Sequence, residues 1–168
     1  MKLPKSFFER DALDVAPDLV GKIIVRKFND GSAFRDTITE VEVYRGTEDL
    51  ACHASKGKTP RTQAMFDSGG IIYVYMVYGM YWLLNIVTGK ADEPQAVLIR
   101  CTRTLKGPGI IGKTLNLDKS FYGTSISDNA ALWFEDSPVV TSYKTFPRVG
   151  VAYAKEWALK PWRFVLDD

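Results

Sequence analysis

The sequence predicts an α+β domain: a mostly antiparallel, curved sheet flanked by short helices. Two observations carry this. Strand-like runs follow one another in hairpin order, and few stretches have helical periodicity. Size adds a third. The chain has 168 residues, enough for one sound core, so residues 1–168 are expected to form a single domain.

Taken in order, residues 6–19 read as helical, with an N-cap at Ser6 and Phe7, Phe8, Leu13 and Val15 as apolar anchors. Residues 20–28 read as a strand, and Asn29-Asp30-Gly31 as a turn. Residues 34–44 read as the paired strand, with Glu40, Glu42 and Tyr44 on one face and Val41 and Val43 on the other. The polar stretch 45–70 reads as a long loop with a short helix near 60–65. Residues 71–87 divide into two strands that meet near Gly79. A turn at 89–93 leads to a strand at 95–104, and a tight turn at Gly107 leads to a short helix within 107–117. Residues 131–135 and 149–151 read as strands, and 162–165 closes the chain.

The composition is that of an ordinary soluble protein, and the net charge of +2 permits an anionic partner without demanding one. Basic residues do cluster, at Lys56, Lys58 and Arg61, at Arg100, Arg103 and Lys106, and at Lys155, Lys160 and Arg163. Scattered surface charge and a phosphate-binding face both fit that pattern. Cys52 and Cys101 make no metal-spaced pair and His53 is the only histidine, so neither a metal nor another cofactor is expected. The two thiols fit a reducing compartment, and residues 1–10 lack the apolar core of a signal peptide. Residues 71–87 approach the ~18 apolar residues that span a bilayer. Tyr73, Tyr75, Tyr78 and Tyr81 inside that run, together with Gly79, favour two strands over a membrane helix.

Three constellations carry chemistry. Glu40 and Glu42 lie two apart on one strand, about 7 Å from each other. They can be a solvated polar face, the acid and base of an inverting sugar hydrolase, or, for Glu42 beside Tyr44, part of a site that grips a planar ring. Among the tyrosines, Tyr73, Tyr81 and Trp82 read as core packing. Tyr78 sits at an exposed bend where a ring can wedge between stacked bases, and Tyr75 opposite Tyr44 would form a slot for cationic rings. Residues 107–114 spell G-x-x-x-x-G-K-[ST], a phosphate-loop string. The 54 residues after Thr114 lack the alternating strands and helices of a nucleotide fold, so the string reads as a decoy.

At these residues the chain resembles the alkyladenine (3-methyladenine) DNA glycosylases. The matching pieces are Thr39-Glu40-Val41-Glu42-Val43-Tyr44, Ala51-Cys52-His53, Lys58-Thr59-Pro60-Arg61, and Tyr73-Val74-Tyr75 through Tyr78-Gly79-Met80-Tyr81 to Asn85. Ala96–Arg100, Gly107-Pro108-Gly109, 116–120, Arg148-Val149-Gly150-Val151, Glu156-Trp157 and 161–164 follow in the family's order. The Gly107-Pro108-Gly109 match to a turn before a helix also accounts for the phosphate-loop string. One departure stands out: the connection from Arg100 to Gly107 is shorter than is usual in that family.

The resemblance implies roles. Glu42 would activate the attacking water, with Arg100 as a partner of that water and of phosphate. Tyr44, His53 and Tyr75 would wall the damaged-base pocket. Asn85 would screen purines by their exocyclic groups, and Val149 would offer a backbone contact to the base. Tyr78 would fill the gap left by a flipped nucleotide, with Met80, Lys58, Thr59 and Arg61 contacting DNA. The implied protein is a monofunctional, cofactor-free hydrolase, a monomer acting on damaged purines in duplex DNA. It would be cytoplasmic and nucleoid-associated in a prokaryote, or nuclear in a eukaryote. A glycoside hydrolase using Glu40 and Glu42, and a non-catalytic nucleic-acid-binding domain using the tyrosines, are the rivals.

Overall fold

The computed structural model describes residues 1–138 and 142–167. Two helices open the chain, α1 (Lys5–Phe8) and α2 (Ala12–Leu19). Asp11 caps α2 by accepting the Leu13 N–H at 2.9 Å, so the chain breaks where the sequence reading ran one helix from a cap at Ser6. Asp11 also holds Arg45 through Nη2 at 2.6 Å, and this extra partner favours a cap at Asp11.

Among the described residues eight strands follow: β1 (Ile23–Lys27), β2 (Ala33–Arg45), β3 (Ile72–Val77), β4 (Tyr81–Val87), β5 (Gln95–Thr102), β6 (Leu132–Glu135), β7 (Tyr143–Phe146) and β8 (Arg163–Leu166). They form one curled antiparallel sheet in the order β3-β4-β5-β2-β1-β6, with β8 joining β2 and β7 joining β8. The long β2 organises it. Its first half pairs with β1, and its second half lies between β5 and β8. The register with β5 slips between Ile38 and Val41. Such irregularities bend a strand and sharpen its twist, and β2 changes partners there.

Alternation along the strands separates two faces. Val41, Val43, Ile72, Val74, Leu84, Ile86, Val97 and Ile99 are buried together with Val15, Leu19, Ile111 and Leu115 of α2 and α3 (Pro108–Thr114) and its C-cap. Their burial is the main stabilising term. The opposite face carries a smaller cluster in which Cys52, Ala54, Ala64 and Met65, from the segment after β2, cover Tyr73, Val87 and Ala96.

Gly112 explains the glycine of the phosphate-loop string. A Cβ there would run into the Trp82 carbonyl oxygen, so this residue lets α3 lie directly on β4. Every strand pairing among the described residues is antiparallel, without the crossovers a nucleotide-binding sheet requires.

Three expectations need correction. Residues 149–150 form a turn and 151 is irregular, where a strand was expected, with Gly150 at φ +73°. The segment after β2 holds two short 3₁₀ helices, His53–Lys56 and Gln63–Phe66, where one helix was expected. β7 was not anticipated, because all four of its side chains are exposed. No helix among the described residues is long and apolar enough to cross a membrane.

Candidate active site

One transverse row across the sheet builds the site. Tyr73 on β3 pairs with Asn85 on β4, Asn85 with Leu98 on β5, and Leu98 with Glu42 on β2. Paired residues share a face, so these four side chains stand side by side opposite the main core. They lie at the bottom of a cleft of ≈ 540 Å³. Its walls include Tyr44, His53, Tyr75, Tyr81 and the Gly107-Pro108-Gly109 turn. Tyr78, Arg100, Val149 and Tyr153 also line it.

Glu42 is 0% exposed. Tyr44 donates its hydroxyl to Oε1 at 2.9 Å, and the Val149 N–H donates to Oε2 at 2.7 Å. Arg100 Nη1 is 4.0 Å from Oε1. Burial raises the Glu42 carboxyl above the ordinary 4.5, against the opposing pull of the Val149 N–H, Arg100 and Tyr44. Burial set against hydrogen bonds in this way is how a carboxyl's proton affinity is tuned.

Glu40 behaves differently. Arg100 Nε donates to its Oε2 at 2.8 Å, and Arg163 Nη1 stands 3.6 Å from the same oxygen. Its side chain lines a separate cleft with Thr39, Cys101 and Lys106. The solvated-face expectation for Glu40 therefore gives way to an ion-paired carboxylate. Glu40 and Glu42 do not face a common cavity, as an acid and base on one sugar must.

His53 opens the first 3₁₀ helix, and its Nδ1 lies 2.8 Å from the Tyr73 hydroxyl. Its ring meets Tyr75 edge-on, centroids 4.3 Å apart. Burial first, then Arg61 and Lys56, lower the imidazole to about 4, so it is neutral at pH 7. Burial raises the Tyr44 and Tyr75 hydroxyls well above 10, which keeps both as donors. Asn85 is buried, and its Nδ2 has no protein partner. This leaves a hydrogen-bond donor on the cleft floor.

At the rim, Tyr78 is 90% exposed, and Met80 is exposed beside it. The Met80 N–H bonds the Val77 carbonyl across the turn, and both central residues, Tyr78 (φ +52°) and Gly79 (φ +64°), are left-handed. Arg61 stacks over the Tyr75 ring at 5.4 Å, and Lys58 over the Phe66 ring at 5.8 Å. Thr59 is bonded within its own turn to Thr62. All three residues are exposed.

Sequence reasoning missed several contributors. Tyr73 was read as core, and it is buried, yet it also holds His53. Tyr81, read as core, lines the cleft, with its ring against Gly109. Val149 was expected to offer its backbone to the base; its N–H is directed at Glu42. Leu98 and Tyr153 carried no sequence signal of their own. Among the described residues, no group of three His, Cys, Asp or Glu side chains is placed to hold a metal ion.

The family model described as methylpurine-DNA glycosylase matches residues 6–105 and 102–168. The two matches meet in the short connection that follows Arg100. A protein of Legionella pneumophila (strain Corby), named "Putative 3-methyladenine DNA glycosylase", is 42% identical over 176 residues, covering 99% of this chain and 95% of its own. Proteins with the same name from Methanocella arvoryzae and Natranaerobius thermophilus are 40% and 36% identical, covering 96% and 100% of this chain and 90% and 96% of their own.

Proposed function

This chain belongs to the methylpurine-DNA glycosylase family, and on that footing we propose that it excises alkylated and related damaged purines from duplex DNA in base excision repair. It acts as a monomer, hydrolytically and without strand cleavage. The observation that supports this best is the buried Glu42 carboxylate at the floor of an aromatic cleft, held by Tyr44 and the Val149 N–H.

A base inside a duplex is out of reach, so the target nucleotide is extruded into the cleft. Tyr78, nearly fully exposed at its turn tip, fills the gap, with Met80 beside it. Lys58, Thr59 and Arg61 serve the flanking phosphates. The base then lies among Tyr44, His53 and Tyr75. A purine alkylated at N3 or N7 is cationic, and each good aromatic contact favours it by roughly 1–2 kcal/mol. His53 is neutral at pH 7, so it does not repel that charge. Asn85 Nδ2 offers a donor to a ring acceptor and opposes a purine that presents an amino group there.

The cationic base leaves without an acid. Glu42 stabilises the oxocarbenium-like sugar and takes the proton of the attacking water. Arg100, bridging Glu40 and Glu42, helps hold that water and a phosphate. The substrates are duplexes carrying 3-methyladenine, whose base leaves as described, or the neutral ethenoadenine and hypoxanthine, whose departing ring takes its proton from water.

Release of free base from such duplexes is the test, run as single turnovers with Glu42→Gln and Glu40→Gln. Glu42→Gln should cost a factor of about 10² to 10⁴ and leave lesion binding in place, while Glu40→Gln should cost far less. Absence of release by the wild-type protein from all three lesions, or near-normal rates in Glu42→Gln, would sink the reading.

A further inference from the structure

A fully buried ion pair lies behind the catalytic carboxylate. Arg148 and Asp49 both have 0% side-chain exposure. Arg148 Nη1 donates to Asp49 Oδ2 at 2.7 Å and to the Val43 carbonyl at 3.0 Å. Its Nη2 donates to Asp49 Oδ1 at 3.0 Å and to the Trp157 carbonyl at 2.9 Å. The guanidinium also lies over the Tyr44 ring at 5.0 Å and the Trp162 ring at 5.1 Å. Asp49 in turn accepts the Arg45 N–H on Oδ2 and the Ala51 N–H on Oδ1, both at 3.0 Å.

We propose that the Arg148–Asp49 pair is a positioning device that aims the Val149 N–H at Glu42 Oε2. This rests on the role given to Glu42 above. Two of the groups that Arg148 touches, the Val43 carbonyl and the Tyr44 ring, border the carboxylate. Val43 follows it on β2, Tyr44 donates to its other oxygen, and Val149 is the next residue along the chain from Arg148. The 149–150 turn has little packing of its own, since Val149 is 46% exposed and Gly150 is exposed at φ +73°. The Val149 N–H is therefore held between two buried anchors, the Arg148 fork immediately before it and Val151, packed with Ala51 and Ala154, after it; the fork is the one bonded to its partners in a fixed plane.

Stability alone is a poor reason for such a pair. Well-packed apolar residues often replace a buried ion pair at no loss. What a planar, bidentate fork adds is fixed geometry. Here that geometry delivers a hydrogen bond that favours the charged form of Glu42 against its burial. The other groups acting on Glu42 are Glu40 and Tyr44 on β2, Arg100 on β5 and Tyr75 on β3, with Arg163 on β8 acting on Glu40. Of these, Tyr44 alone touches Arg148, whose positive charge acts on its phenol, and Arg148→Lys and Trp162→Leu both keep that charge. Loosening the fork removes the Val149 bond, and Glu42 then takes up its proton at higher pH.

The test is the pH profile of single-turnover base release from an ethenoadenine duplex, with Arg148→Lys and the milder Trp162→Leu, which leaves the ion pair but removes one face of the guanidinium sandwich. In Arg148→Lys the acid limb should move up by about one pH unit, a loss of about tenfold at pH values below the limb. Lesion binding by gel shift should stay within about threefold. Trp162→Leu should move the limb in the same direction by less. If Arg148→Lys does not fold, Trp162→Leu decides by the same criterion. An unmoved acid limb, with rates that fall only as melting temperature falls, overturns the proposal and leaves a scaffold pair. If the wild-type protein releases no base, the reading of the reaction fails. The pair is then judged from the Val149 amide nitrogen shift, which should follow Glu42 titration in the wild type and lose that response in Trp162→Leu; an unchanged response overturns the positioning role.

Discussion

Tyr44 donates its hydroxyl to Glu42 Oε1 at 2.9 Å from two places further along the same strand. Residues so spaced project from one face, and a carboxylate with a phenol beside it is the result. Burial and the Glu42 charge hold the phenol far above its ordinary 10, so it remains a donor across the working pH range. The carboxylate is left with one orientation in a site that burial makes unfavourable for its charge.

That conflict should be visible in stability. The folded Glu42 carboxyl titrates above its unfolded value, so the folded state holds this proton more tightly. By linkage, its contribution to stability is greatest below the unfolded pKa and is lost as pH rises through the folded one. Glu42→Gln removes the ionisation. At pH 8 the variant should therefore melt higher than the wild type by a few degrees, roughly 2–4 °C per kcal/mol at this size, and the gap should close toward pH 4. A variant that melts lower at pH 8, with no dependence on pH, would show that the carboxylate is a structural support.

His53 carries the opposite sign. Its folded value is about 4, against an ordinary 6.5. Between those values the unfolded chain binds a proton that the folded protein does not, so stability falls as pH drops through that window. The slope is at most about 1.4 kcal/mol per pH unit for one proton, and partial exposure reduces it. His53→Asn should flatten the loss of urea stability between pH 6.5 and 4.5. An equally steep loss in the variant would assign it to other groups.

The sheet was largely legible, since apolar alternation and turn residues mark β1 to β6 and β8 directly. That Glu42, Tyr44 and Tyr75 line one cleft was legible too, the first two from a shared strand face and the last from alternation with Tyr73. The Arg148–Asp49 pair was not. Asp49 sits in a polar loop with nothing to distinguish it from its neighbours, and its burial depends on a partner 99 positions away. Val149 shows the same limit, because an N–H carries no sequence signal and its target is set by the turn. β7 escaped because an edge strand with four exposed side chains has no inward face to read.

The phosphate-loop string provides a contrast between two neighbours. Gly112 lies against the Trp82 main chain, whereas Lys113 is exposed. Gly112→Ala should force α3 away from β4 and lower the melting temperature, at a cost of about 1–3 kcal/mol for overpacking. Lys113→Ala should change stability by less than about 0.5 kcal/mol and leave base release intact without ATP. Activity that requires ATP and vanishes in Lys113→Ala would restore the nucleotide reading.

Tyr78 presents a cost with no folded-state return. It holds φ +52°, a conformation that disfavours a bulky side chain by roughly 1–2 kcal/mol, and its ring is 90% exposed. Neither feature helps the free protein. As the proposed wedge, the ring would offset part of the unstacking cost of extruding a nucleotide, a few kcal/mol per step. Tyr78→Asn should hold or raise the melting temperature, because asparagine tolerates the left-handed turn. Tyr78→Ser should leave it nearly unchanged. Both variants should weaken binding to an ethenoadenine duplex by at least about tenfold, while binding to undamaged duplex, which needs no wedge, changes little. Gel shifts on the two duplexes beside thermal melts give the answer. A variant that unfolds, or that weakens both duplexes equally, would make Tyr78 a structural or general contact and remove the wedge from the mechanism.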